Sequence, residues 1–149
     1  MKLLTETNTT LLNISLLLLR CTVGIILFMA GAGKVLGWFG GQGIEATIDL
    51  FVKEMGISPF LAYLSCYTEF IGGFLLIVGL LTRPAAFAIM INMLVAALVT
   101  LPNGFLKGAS YPFSMMVSSI VILLAGPMAY SLDAWLLSGG MKGTGFKLG

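Results

Sequence analysis

The chain has 149 residues, is 58% hydrophobic, only 9% charged, and carries a formal net charge of +2. A soluble domain typically runs about 25% charged, and one this small could not cover so much apolar surface with so few charges. Composition therefore excludes a water-soluble domain, and the small net charge without a basic stripe excludes a nucleic-acid binder. It implies a single integral membrane domain over residues 1–149.

The N-terminal stretch does not follow a signal peptide. Glu6 and several Asn and Thr precede the apolar run, Arg20 interrupts it, and no small-residue cleavage site follows. The first helix is expected to be retained. The glycosylation triplets beginning at Asn8 and Asn13 abut the membrane and carry no weight.

A first span is predicted over residues 11–37. It contains Arg20 well inside and Lys34 toward its far end. A guanidinium at membrane depth costs several kcal/mol unless something pairs with it. The rest of the chain must supply that partner. The glycine-rich stretch from Gly37 to Gly43 ends the span, with Trp38 suited to the water–lipid interface.

Residues 44–55 form a different kind of segment. Ile44, Ile48, Phe51, Val52 and Met55 follow a helical period on one face, while Glu45, Asp49 and Lys53 sit at i, i+4 spacing on another. It is too short and too charged to span, so it is read as an interfacial amphipathic helix. An ordinary connecting helix or a lid over a binding site are its alternative roles.

Three further spans follow, each opened by proline punctuation. Ser58-Pro59 opens residues 59–81, Thr82-Arg83-Pro84 opens 84–101, and Ser110-Tyr111-Pro112 opens 112–130. Spans of about 18–24 residues match a hydrocarbon core of about 30 Å. The Gly-rich residues 138–149 read as a flexible tail. The fold class is an all-α integral membrane protein, a four-transmembrane-helix bundle with one interfacial helix between the first and second spans. Four spans bring both termini to one side. Lys2, Arg83, Lys142 and Lys147 lie there, against Lys34, Lys53 and Lys107 opposite, so the termini are predicted cytoplasmic.

The search for Arg20's partner runs on depth. At about 1.5 Å of rise per residue, Arg20 lies roughly 13 Å from the terminus side and Glu69 roughly 18 Å, with Asn92 at roughly 12 Å and Ser118–Ser119 at roughly 18 Å. The faces agree: Arg20, Gly24, Leu27, Gly31 and Lys34 share one stripe, and Ala62, Ser65 or Cys66, Glu69, Gly72, Gly73 and Leu76 share another. Ala85, Ala88, Asn92 and Ala96 do the same in the third span. Small residues beside polar ones permit the close helix contact on which packing in lipid relies. The expectation is a buried Arg20–Glu69 pair with Asn92 nearby. Such a layer either fixes helix register or binds a polar head group such as a quinone ring, with Glu69 as the proton-exchanging group. Tyr63 and Tyr67 either line the outer mouth of that site or anchor the interface.

The chain contains no histidine, which removes the usual haem ligand, most zinc and copper sites, and the commonest acid–base residue. Cys21 and Cys66 are not in a Cys-x-x-Cys motif and read as apolar packing residues. The nine methionines are dispersed, without metal-ligand clustering. No metal site is expected.

Several short motifs occur in order along the helices: Arg20-x-x-x-Gly24, Gly31-x-x-Lys34, Glu69-x-x-Gly72-Gly73, Leu81-Thr82-Arg83, and Gly126-Pro127 followed by Ser131-Leu132-Asp133. Together they resemble the DoxX family. The resemblance implies a small four-helix protein of the bacterial inner membrane, in some members associated with quinone-linked oxidation or with membrane oxidoreductase complexes. It carries over Arg20, Lys34, Glu69, Arg83 and Asp133 as matched positions without assigned roles. Asp133 favours the N-terminus of a short helix starting after Ser131.

The reading that results is a quinone-linked subunit of a membrane oxidoreductase whose electron carriers lie elsewhere, since neither histidine nor a cysteine pair is present to carry redox chemistry alone. The candidate ligand-binding residues are Arg20, Lys34, Tyr67, Glu69 and Asn92. A quinone is the implied cofactor, with none bound covalently. Lipid, and other membrane subunits or further copies of the chain, are the implied partners. A non-catalytic structural subunit is the alternative. Transport is disfavoured by the lack of a discontinuous helix or inverted repeat.

Overall fold

The computed structural model describes residues 9–127 and 130–140. Lys2, Lys142, Lys147 and most of the predicted flexible tail lie outside the described residues. Among the described residues the α-helices are, in order, α1 (Thr9–Leu36), α2 (Ile44–Met55), α3 (Pro59–Val78), α4 (Thr82–Thr100), α5 (Ser110–Ala125) and α6 (Leu132–Gly140). Four segments are long and apolar enough to cross a membrane: α1, α3, α4 with the 3-10 turn to Asn103, and α5 with the π-turn that starts at Phe105. No strand occurs among the described residues.

Local chemistry sets the boundaries. Ser58 Oγ accepts from the Leu61 N–H at 3.5 Å and Pro59 takes the first turn, so α3 begins where predicted. It ends at Val78 rather than residue 81 because Gly79 turns left-handed at φ 73° and returns its N–H to the Leu75 carbonyl. The next helix begins two residues before Pro84, which sits in the first turn, where its missing N–H is harmless. The fourth span stops at Ala125, short of residue 130, because Gly126 leaves the helix at φ 71°. Helix α6 runs to Gly140, so residues 138–140 of the predicted tail are helical.

In the bundle α1 lies along α3 and α4 along α5, while α3 on α4 and α1 on α5 close it. The core joins Val23 and Leu27, Leu76, Ala85, Ala86, Ile89, Met93 and Ile122. The buried stripe of α4 is therefore Ala85–Ile89–Met93, with Ala88 exposed and Asn92 at the flank, because the bulky Ile89 and Met93 turn inward. Leu18, Phe74, Phe87, Leu98 and Leu124 face outward, as lipid contact requires.

Helix α1 meets α3 through glycine. A methyl group at Gly31 would overlap the Phe70 backbone, and one at Gly73 would overlap the Phe28 backbone. These contacts fix the antiparallel register, with Gly31 opposite Glu69–Phe70 and Gly24 opposite Gly73. Phe28 stacks on Phe70 at 5.2 Å beside the crossing.

Candidate functional site

That register decides which charge meets Glu69. Lys34 lies one turn beyond Gly31, near the end of α1, and helical side chains tilt back toward the N-terminus. Its ammonium thus points into the bundle. Nζ donates to both oxygens of Glu69, at 2.7 Å to Oε1 and 2.6 Å to Oε2. Glu69 is 4% exposed, whereas the Lys34 side chain keeps 30% of its surface.

The expected Arg20–Glu69 pair is therefore corrected: Glu69 pairs with Lys34. Counting depth from the first apolar residue misplaced Arg20, because the 28-residue α1 outruns the 20-residue α3. The glycine contacts set Arg20 beside Gly79, past the end of α3, about 15 Å along the axis from Glu69 by rise per residue. The sequence signal for the true pair was Gly31-x-x-Lys34 itself, since the small residue that brings α3 close is one turn from the cation.

A shallow cleft of about 420 Å³ opens over Lys34. Lys34, Trp38, Phe39, Gly41, Gln42 and Phe51 are among its lining residues. Nζ lies 5.7 Å from the Phe51 ring centroid, within cation–π range. Phe51 comes from α2, whose Ile48 joins Ala62 and Cys66 in a second buried cluster. The cleft floor is glycine: Gly37 and Gly43 both donate to the Gly33 carbonyl, and a side chain on Gly41 would strike it. Phe39 is held at φ 54°, an unusual conformation for a large residue of the kind that gathers at ligand clamps.

The remaining predicted residues divide. Asn92 lies one turn beyond Ile89, which packs on Gly72, and Gly72 lies one turn beyond Glu69, so Asn92 approaches the same level. Its buried Nδ2 has no partner among the described residues. Tyr67 is exposed and does not join the pair, while Tyr63 lines a separate cleft with Glu45 and Asp49. Ser119 is buried but donates to its own helix at Met115.

A second polar centre lies at the terminus-side end. Asp133, in the first turn of α6, accepts from the Leu81 and Thr82 N–H groups and from Thr82 Oγ1, each at 2.8 Å. It thereby caps α4 from a distance, and its own N–H donates to the Gly79 carbonyl. Ser131 Oγ caps α6 by accepting from Ala134 N–H. Burial pushes the Asp133 carboxyl up, but the Thr82 and Leu81 hydrogen bonds and the Arg20 charge outweigh it and hold the group below the usual carboxylate range. The Leu81-Thr82-Arg83 and Ser131-Leu132-Asp133 motifs are thus two halves of one joint.

A family model described as DoxX matches residues 15–102, a range that includes Arg20, Lys34, Glu69 and Arg83 and stops short of Asp133. "Putative oxidoreductase CatD" of Bacillus subtilis is 33% identical over 132 residues, covering 88% of this chain and 93% of the relative. The inner membrane protein YqjF of Escherichia coli is 31% identical over 130 residues, covering 83% and 93% respectively. An uncharacterised membrane protein of Mycobacterium tuberculosis is 30% identical over 140 residues, covering 80% and 79%. No solved structure matches the chain.

Proposed function

This chain belongs to the DoxX family, and on that premise we propose that it is a quinone-linked subunit of an oxidoreductase complex in the bacterial inner membrane. The observation that carries the reading is the Lys34 ammonium, which lines an aromatic cleft and is held from behind by the buried Glu69 carboxylate. The oxidoreductase name of the Bacillus subtilis relative and the inner-membrane name of the Escherichia coli relative support it.

The residues suit a quinone ring. Trp38, Phe39 and Phe51 offer faces for a flat ring, and a cleft of about 420 Å³ is large enough to admit one. A bound quinone supplies the two-electron acceptor, and the electrons come from a partner subunit. Within this chain, Lys34 Nζ would offer its remaining N–H to a ligand oxygen, and Glu69, which holds the other two, would take up or return a proton through that ammonium.

The test is quinone content after gentle detergent extraction, measured by solvent extraction and ultraviolet absorbance, for wild type, Glu69→Gln and Phe51→Ala. Both variants should keep the folded bundle and lose most of the bound quinone. Unchanged content in both would sink the reading.

One observation favours a second reading, a non-catalytic structural subunit. Both Glu69 oxygens already face Lys34, so the pair is satisfied as a register pin. It predicts loss of folding in Glu69→Gln, no bound quinone, and association with a partner subunit that survives Phe51→Ala.

A further inference from the structure

The terminus-side end of the bundle holds an arrangement that the quinone reading leaves unused. Arg20 is 2% exposed and cannot shed its proton. Its Nη2 donates to the Tyr130 carbonyl at 2.8 Å. Nε and Nη1 are buried with no partner among the described residues. The guanidinium packs against Gly79 and Ser131: a methyl on Gly79 would come within 2.7 Å of Nη1 and 2.9 Å of the Ser131 Cβ.

The Asp133 carboxylate does not answer this charge directly. Asp133 lies within electrostatic reach of Arg20, but its hydrogen bonds are committed to Leu81 and Thr82. A second guanidinium lies at the same end. Arg83 is exposed and rests on Gly126, where a methyl would come within 2.7 Å of both Nε and Nη2. It makes no ion pair among the described residues. Among the described residues two arginines thus share this end with one engaged carboxylate, and the excess is positive.

We propose that Arg20 and Arg83, set against Tyr130 and Gly126, form a binding site for a phosphate oxyanion at the terminus-side membrane surface. Guanidinium donors suit phosphate oxygens in charge and geometry. The depth suits a phosphate: the site lies where α3 ends and α4 begins, the level of lipid head groups on that side. Exposed Trp135 of α6 marks the same interface.

A phosphate can come from a phospholipid or from solution. The first source has structural support. Inward of the site, toward the bilayer core, Phe74 and Val78 at the end of α3 and Phe87 in α4 are exposed, an apolar wall for an acyl chain that descends from the head-group level.

The experiment uses the intact chain reconstituted into vesicles of equal parts phosphatidylglycerol and phosphatidylcholine, then extracted gently for native mass spectrometry. A second arm compares inorganic phosphate with chloride, at equal ionic strength, for their effect on thermal stability in lipid-free detergent. Wild type should retain phosphatidylglycerol in preference to phosphatidylcholine, and Arg83→Gln should lower that retention about tenfold, as loss of a charge-assisted contact implies. Arg20→Lys should do the same where it folds; the exposed Arg83 carries the test where it does not. Stabilisation by phosphate without a lipid preference, abolished in Arg83→Gln, supports the site with free phosphate as its source. No preference in either arm, or a preference undiminished in Arg83→Gln, overturns the proposal. Quinone content is read separately, so this result and that of the Lys34–Glu69 cleft are independent.

Discussion

Individual side chains divide here between those that satisfy a neighbour and those that face a ligand, and two substitutions separate the roles. Breaking a buried ion pair by removing one partner typically costs about 3–5 kcal/mol. The partial exposure of Lys34 reduces this, because solvent screens the ammonium. Lys34→Met should therefore destabilise the bundle by about 2 kcal/mol, and Lys34→Met with Glu69→Leu by less, since no uncompensated carboxylate remains. Thermal unfolding in detergent measures both; a double variant less stable than Lys34→Met would contradict the pairing. Asp133 gives a pH signature. Its folded-state value lies below its unfolded one, so the unfolded chain takes up the proton first as pH falls. The stability that Asp133 contributes is complete above about pH 5 and fades below about pH 4 as the folded carboxyl protonates. Asp133→Asn should cost about 1 kcal/mol near neutrality, the scale of a lost helix cap. The gap between variant and wild type should close on acidification.

At the scale of helices, the close contact of α1 with α3 makes a graded prediction. Gly31 meets Phe70 and Glu69 backbone, which cannot move without separating the helices, whereas Gly72 meets only Ile89 side-chain atoms at 3.0 and 3.1 Å. Gly31→Ala should cost about 2–3 kcal/mol and Gly72→Ala clearly less, as overpacking against a rotatable side chain is relieved more cheaply. Melting curves in one detergent would rank them, and equal losses would contradict the register. The same contact explains what could be read from residues alone. Each span was legible, because apolar runs, proline after a cap, and glycine at an end are local signals; residues 44–55 were legible as a short amphipathic helix for the same reason. The Gly31, Gly72 and Gly73 stripes were legible as contact faces. Which cation met Glu69 was not, because register depends on how far two backbones slide before they meet. Depth counted from the start of α1 misplaces Arg20, because that helix extends past its neighbours. The Asp133 cap on Thr82 was equally hidden, since it joins residues 51 apart in the chain.

The described bundle is polar at mid-depth, where Glu69 meets Lys34, and again at its terminus-side end, with the apolar core between, which ties its function to its orientation. The Lys34–Glu69 cleft opens beside α2 on one face, and Arg20, Arg83 and Asp133 cluster on the other. Four crossings place the start of α1 and the whole of α6 on one side, a geometry that the Arg20–Tyr130 hydrogen bond draws together. Basic residues near span ends favour the cytoplasmic side. By sequence, Lys2, Arg83, Lys142 and Lys147 belong to the α6 side and Lys34, Lys53 and Lys107 to the α2 side, a bias of four cations to three. This asymmetry predicts that α2 faces away from the cytoplasm and α6 toward it. Single cysteines replacing Lys53 and Ser138 test it in intact cells with a membrane-impermeant maleimide, in a chain whose Cys21 and Cys66 are changed to alanine. Lys53 is strongly exposed in its ion pair with Asp49, so Lys53→Cys should label at once. Ser138→Cys should label only after permeabilisation. The reverse pattern would place the Glu69 cleft on the cytoplasmic side, and a proton exchanged there would then be drawn from the cytoplasm.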